Sequence, residues 1–127
     1  MRKNVSSGSK YEAPIGFSRA VRIGNHIAVA GTAPIPREGQ ALDYSSVYEQ
    51  TKLCLRIMLD AITEAGGTAE QVIRTRIMLT DASTWEEAAR AHGEIFASIR
   101  PACTFVEVKG LLDPRWKVET EADCVLG

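Results

Sequence analysis

The sequence predicts one α+β domain over residues 1–127, and three observations predict it. Its 127 residues suit one ordinary domain and are too few for two separate cores. Short β-rich runs, a long amphipathic helix and further β-rich runs follow one another twice along the chain. The last run alternates Lys117, Glu119, Glu121 and Asp123 with Val118, Thr120, Ala122 and Cys124. That alternation marks a strand with one covered face and one polar face.

The elements are justified in order. Arg19 to Ile23 and His26 to Gly31 read as a hairpin, because Gly24 and Asn25 between them both tolerate the positive φ of a two-residue turn. Thr32 to Asp43 holds Pro34, Pro36 and Gly39 and reads as a loop. Tyr44 to Ala65 places Val47, Leu53, Cys54, Ile57, Met58, Ala61, Ile62 and Ala65 at spacings that build one buried helical face, and Gly66 and Gly67 end it. Gln71 to Thr80 is a strand with Ile73, Thr75, Ile77 and Leu79 on one side and Arg74, Arg76 and Met78 on the other. Asp81 or Ser83 caps a second helix whose inner stripe is Trp85, Ala88, His92, Ile95, Phe96 and Ile99. Pro101 prevents its continuation. Thr104 to Val108 and Lys117 to Val125 are the closing strands, joined by a loop containing Gly110, Asp113 and Pro114.

Composition narrows the function classes. Hydrophobic residues are 45% and charged residues 24% of the chain, the balance of a globular protein and not of a disordered one. A formal net charge of -1 supplies no global field for nucleic acid or an anionic membrane. Three cysteines without a CxxC pair argue against a disulfide framework and a zinc site. Two isolated histidines without HExxH argue against a metal enzyme, and the absence of GxGxxG, P-loop and GxSxG sequences leaves no cofactor expected. The first residues lack an apolar signal core, and no run approaches the roughly 18 apolar residues of a membrane span. The expected location is the cytoplasm, with no membrane partner.

Three side chains invite a chemical reading. His92 lies on the apolar stripe of the second helix, where packing is the commoner role, though a subunit contact burying that stripe would bring it to a site. Cys103 follows the helix-ending Pro101-Ala102 without a visible base or cation to make it a thiolate, so a small buried residue is the plainer reading. Glu119, taken alone, is one of several carboxylates on a polar strand face.

The ordered set of segments says more. Gly24-Asn25-His26-Ile27-Ala28-Val29-Ala30-Gly31-Thr32-Ala33-Pro34, Gln50-Thr51, Ala65-Gly66, Arg74 to Asp81, Arg100-Pro101-Ala102-Cys103-Thr104, Val106-Glu107-Val108 and Val118 to Ala122 together resemble the RidA/YjgF/L-PSP family. The resemblance runs from about Gly16 to Val125. It implies a chorismate-mutase-like fold, a six-stranded mixed sheet with two helices on one face. It further implies a homotrimer packed through the other face, with three small-molecule clefts between subunits. Glu119 falls at the family's cleft glutamate, Phe17 near its aromatic wall, and Gly31 and Thr32 at the strand end that lines the pocket. Trp116, Cys103, Thr104 and His92 are further expected contacts to substrate.

One departure bears on the chemistry. Family members that hydrolyse imines derived from amino acids carry arginine after the Pro-Ala pair, where this chain has Cys103. Arginine grips a carboxylate as a bidentate fork, and cysteine cannot. The resemblance therefore implies hydrolysis of a reactive imine or enamine other than the usual amino-acid-derived ones, with Glu119 orienting water. The rival expectation is a metabolite-binding or regulatory module without catalysis. An L-PSP-type endoribonuclease or translation inhibitor is disfavoured by the lack of a basic surplus, of a catalytic histidine pair and of a metal motif. Arg19, Arg74, Arg76, Arg90 and Arg100 are candidates to replace the missing clamp, and Arg74 and Arg76 share a strand face.

Overall fold

In a computed structural model, which describes all 127 residues, the chain opens with a strand that its composition does not announce. Arg2–Val5 (β1) pairs antiparallel with Ala20–Ile23 (β2). Only Val5 of its four side chains is buried, so the backbone ladder holds β1 in place and no apolar stripe reveals it. One helical turn, Glu12–Ile15 (α1), lies between the two strands. β2 turns through Gly24, at φ 58°, into His26–Thr32 (β3), as the two-residue hairpin requires.

The long helix is Val47–Glu64 (α2). It begins three residues after Tyr44 because the Ser46 side chain accepts a hydrogen bond from the Glu49 N–H and so defines the cap. Then come Val72–Leu79 (β4), Trp85–Phe96 (α3), Ala102–Glu107 (β5) and Val118–Val125 (β6). Asp81 caps the short turn that leads into α3. The six strands lie in the order β1-β2-β3-β6-β4-β5, with only the β4–β5 pair parallel. β6 is antiparallel to both β3 and β4, which do not touch each other, so it is the only strand joining the two halves of the sheet.

Both main helices cover one face. Leu55, Met58 and Ile62 of α2 are fully buried and pack with Ile27, Val29, Phe96, Ala122 and Cys124. Val47, Cys54, Ile77, Leu79, Ala88 and Val118 form a second cluster. Burying each large aliphatic side chain contributes about 1.5–3 kcal/mol. Two expected core positions are not core. Ile73 is 51% exposed and Val72 is buried in its place, because the β4 register against β6 shifts between Val72 and Arg74; one additional residue sends a strand's side chains to opposite faces. Trp85 is 52% exposed because it begins α3, whose dry contacts are made further along by Ala88, Ala91 and Phe96.

One buried polar side chain locks the loops to this frame. Gln50, 0% exposed, donates from Nε2 to the carbonyls of Tyr44 (2.8 Å) and Arg115 (3.0 Å) and accepts from the Lys117 N–H (2.8 Å). It thereby holds the entrance of α2 and the entrance of β6 together. Gln50→Leu leaves three backbone groups without their partner at an apolar site. Each such loss costs about 1–3 kcal/mol, so chemical denaturation should show the variant weaker by at least about 2 kcal/mol. An unchanged midpoint would show that water satisfies these groups.

Candidate functional site

β6 alternates as its sequence demands, with Val118, Thr120, Ala122 and Cys124 buried under the helices and Glu119, Glu121 and Asp123 on the open face. The neighbouring strands then decide which carboxylate is compensated. Glu121 pairs with Arg76, directly opposite on β4. Asp123 faces Arg74 on β4 and lies 3.6 Å from His26 on β3. Glu119 faces Met78 instead, and it makes no hydrogen bond within the chain.

The space beside Glu119 exists because residue 31 is glycine. A Cβ built on Gly31 would overlap Glu119 Oε1, so the carboxylate lies directly against the strand backbone where β3 slips register between Val29 and Thr32. Burial pushes the Glu119 carboxyl above its ordinary range, and the charge of Arg19 pulls it back only in part. Arg19 is itself 4% exposed. Its Nη1 donates to the Gly31 carbonyl and to Thr32 Oγ1 (3.1 Å), and its guanidinium lies 5.3 Å from the Phe17 ring centre. Glu12 stands 3.7 Å from Arg19 Nε. Burial opposes ionisation of Glu12, yet hydrogen bonds from Ser7 and Ser6 and the nearby Arg19 hold its carboxyl below the usual range.

Glu119 and Gly31 therefore meet, and Phe17 joins them through Arg19. The hydroxyl of Thr32 is turned to the helix side, accepting from Arg19 and donating to the Ala30 carbonyl (2.8 Å). His92 lies behind the sheet, 2.9 Å from Thr75 Oγ1 and against Phe96 and Phe105, where burial lowers its basicity. Trp116 is buried edge-on to Tyr11. Cys103 is exposed on β5, in register with Thr75 and hence directed to the helix side, whereas Thr104 is in register with Arg76 on the open face. β4 separates β5 from β6, a gap of roughly 10 Å, so Cys103 and Thr104 do not reach Glu119 within one chain. No three His, Cys, Asp or Glu side chains converge to hold a metal, and no helix is long and apolar enough to cross a membrane.

Arg19 is the residue whose place the sequence conceals. Arg22, three residues on, stays at the surface with its guanidinium on the Gly24 and Ala65 carbonyls. Nothing local separates the two arginines. The difference is made by Glu12, brought alongside Arg19 when the chain reverses at Gly16, φ 90°.

The sequence profile of the family described as Endoribonuclease L-PSP matches residues 8–126. The Streptomyces coelicolor protein SCO2049 is 39% identical over 126 residues, covering 98% of this chain and 92% of its own. Reactive Intermediate Deaminase A of Arabidopsis thaliana chloroplasts is 27% identical over 113 residues, covering 87% of this chain and 60% of its own. Among solved structures, Rv2704 of Mycobacterium tuberculosis, a member of the YjgF/YER057c/UK114 family, superimposes with a TM-score of 0.89 at 43% identity, over 99% of this chain and 100% of that one.

An acid whose folded pKa is raised weakens the fold as it ionises, so the cost of Glu119 grows as pH rises through and above the carboxylate range. Glu119→Gln should consequently melt higher than the parent at pH 7, and the two curves should converge as the pH falls below that range. A variant less stable than the parent at pH 7 would mean that attraction to Arg19 outweighs burial.

Proposed function

The chain belongs to the Endoribonuclease L-PSP family, the RidA/YjgF group, and from that premise we propose that it hydrolyses a reactive imine or enamine in clefts between the subunits of a homotrimer. The observation that carries this reading is Glu119, a half-buried carboxylate left without a partner on an otherwise compensated face. The relative named Reactive Intermediate Deaminase A lends the reaction class. In this reading Cys103 and Thr104 reach Glu119 from a neighbouring copy, because β4 separates β5 from β6 within one chain.

In the proposed reaction Glu119 accepts a proton from water as the water oxygen bonds to the imine carbon. Glu119 returns that proton to the nitrogen to give the carbinolamine; the carbinol hydroxyl then passes its proton through Glu119 to the nitrogen as the C–N bond breaks, and a carbonyl compound and an amine or ammonia leave. Glu119 ends as it began. No cofactor is required. Burial raises the Glu119 pKa, which makes it a stronger proton acceptor than an exposed carboxylate. Phe17 and backbone N–H groups near Gly31 and Cys103 would hold the substrate.

Cys103 sets the expected preference. Without the family's arginine, the cleft has no fork for a substrate carboxylate, and Arg76 is already committed to Glu121. The second reading, a metabolite-binding module without turnover, draws on this same substitution. Ribonuclease activity is disfavoured because the cations of the open face stand opposite carboxylates and form no basic groove.

Light scattering behind size exclusion should give three times the 13.8 kDa chain mass; a monomer at micromolar concentration would remove the shared cleft. With imines generated in place by an amine or amino-acid oxidase and release of ammonia as readout, Glu119→Gln should lower turnover about 10²–10⁴-fold. Glu121→Gln should change it little. Binding with no turnover of any imine or enamine by the parent would favour the module.

Cys103→Arg, checked first for an intact trimer and melting temperature, should raise activity toward carboxylate-bearing imines roughly ten- to 150-fold, the worth of a charge-assisted hydrogen bond. Cys103→Ser should change little. Complete loss of activity in the serine variant would instead make the thiol a nucleophile.

A further inference from the structure

On the helix side of the sheet, away from the open face of Glu119, lies a cavity of about 370 Å³ between the end of β1 with its Ser-rich loop, the loop after β3, and α2. Its most deeply buried charged side chain is Arg19, 4% exposed. The Nη1 of Arg19 is occupied by the Gly31 carbonyl and Thr32 Oγ1, but Nε is buried without an acceptor, and Nη2 makes no hydrogen bond either. Glu12, at 3.7 Å, is near enough to balance charge and too far to accept a hydrogen bond. Nε is closed off, so Nη2, unpaired and not fully buried, is the donor that the cavity floor offers.

The polarity reverses at the mouth. Glu38, Asp60 and Glu64 stand there against one cation, Arg37, which is drawn onto Asp60 at 3.2 Å and is largely exposed. The wall between is aliphatic, from Val5, Ile35, Ile57 and Ala61. A simple anion would meet Glu12 beside the floor and the acidic mouth on entry, and a simple cation would meet Arg19 at the end of the cavity. A molecule with both ends satisfies both, and the aliphatic wall suits the chain between them.

We propose that this cavity is a binding site for a short linear aminoalkyl compound, whose carbonyl or carboxylate end accepts from Nη2 of Arg19 and whose protonated amine lies by Glu64 and Asp60. The site lies on the other side of the sheet from Glu119 and does not rest on the reaction assigned to that residue, although Arg19 borders both spaces.

Calorimetric titration of the full chain with 6-aminohexanoate, hexanoate and hexylamine tests it. The doubly functional probe should bind at least about tenfold tighter than either singly functional one, the worth of one charge-assisted contact. Glu64→Gln, a surface change that spares the fold, should remove most of that advantage. Arg19→Met should remove it as well, made together with Glu12→Gln so that no buried charge is left alone. If this double variant fails to fold, Glu64→Gln decides. Glu119→Gln should leave the affinity unchanged. Equal affinities for the three probes, or no binding at millimolar concentration, would overturn the proposal. So would binding that survives Glu64→Gln and disappears in Glu119→Gln, which would put the compound on the open face instead.

Discussion

The alternation of one central strand constrains the chemistry of both faces. β6 must bury Val118, Thr120, Ala122 and Cys124 beneath the helices, and the period of two then forces Glu119, Glu121 and Asp123 into a row on the other side. Three carboxylates so aligned repel one another unless cations stand opposite. Arg76 pairs with Glu121, while Asp123 has Arg74 in register on β4 and His26 at 3.6 Å. The third finds Met78 and the bare backbone of Gly31. The candidate site is thus the one place along β6 where compensation stops.

Arg19 carries the corresponding cost on the other side of β3. A guanidinium almost wholly removed from water is costly unless neighbouring groups neutralise it, and here Glu12 and, at longer range, Glu119 do so. Because Nη1 of Arg19 holds the Gly31 carbonyl, the charge that moderates Glu119 also fixes the backbone against which that carboxylate rests. Packing, register and acidity at this point cannot be changed separately.

Periodicity made much of this legible. Both helices, five strands and the two faces of β6 follow from spacing alone, and the resemblance to RidA and YjgF proteins supplied the sixth strand. That strand is β1, whose Arg2, Lys3 and Asn4 are all exposed and carry no apolar signal. The exchange of Ile73 for Val72 escaped because a register shift is a property of two strands, and a single sequence shows one at a time. Glu119 could be placed on the polar face by counting, but its isolation depends on what β3 and β4 set beside it. The resemblance, and not counting, sets Cys103 and Thr104 at a cleft between subunits; within one chain β4 stands between them and Glu119.

The central place of β6 also governs how the protein is made. During synthesis β1, β2 and β3 emerge first, then β4 and β5, and these two groups have no backbone hydrogen bonds to each other. Each presents a bare inner edge, the kind of surface on which strands of different chains pair wrongly. The strand that covers both edges is the last of the six to be synthesised, at a pace of roughly 5–20 residues per second. Until β6 pairs, both inner edges stay open, so mispairing between chains is favoured in the interval before it docks.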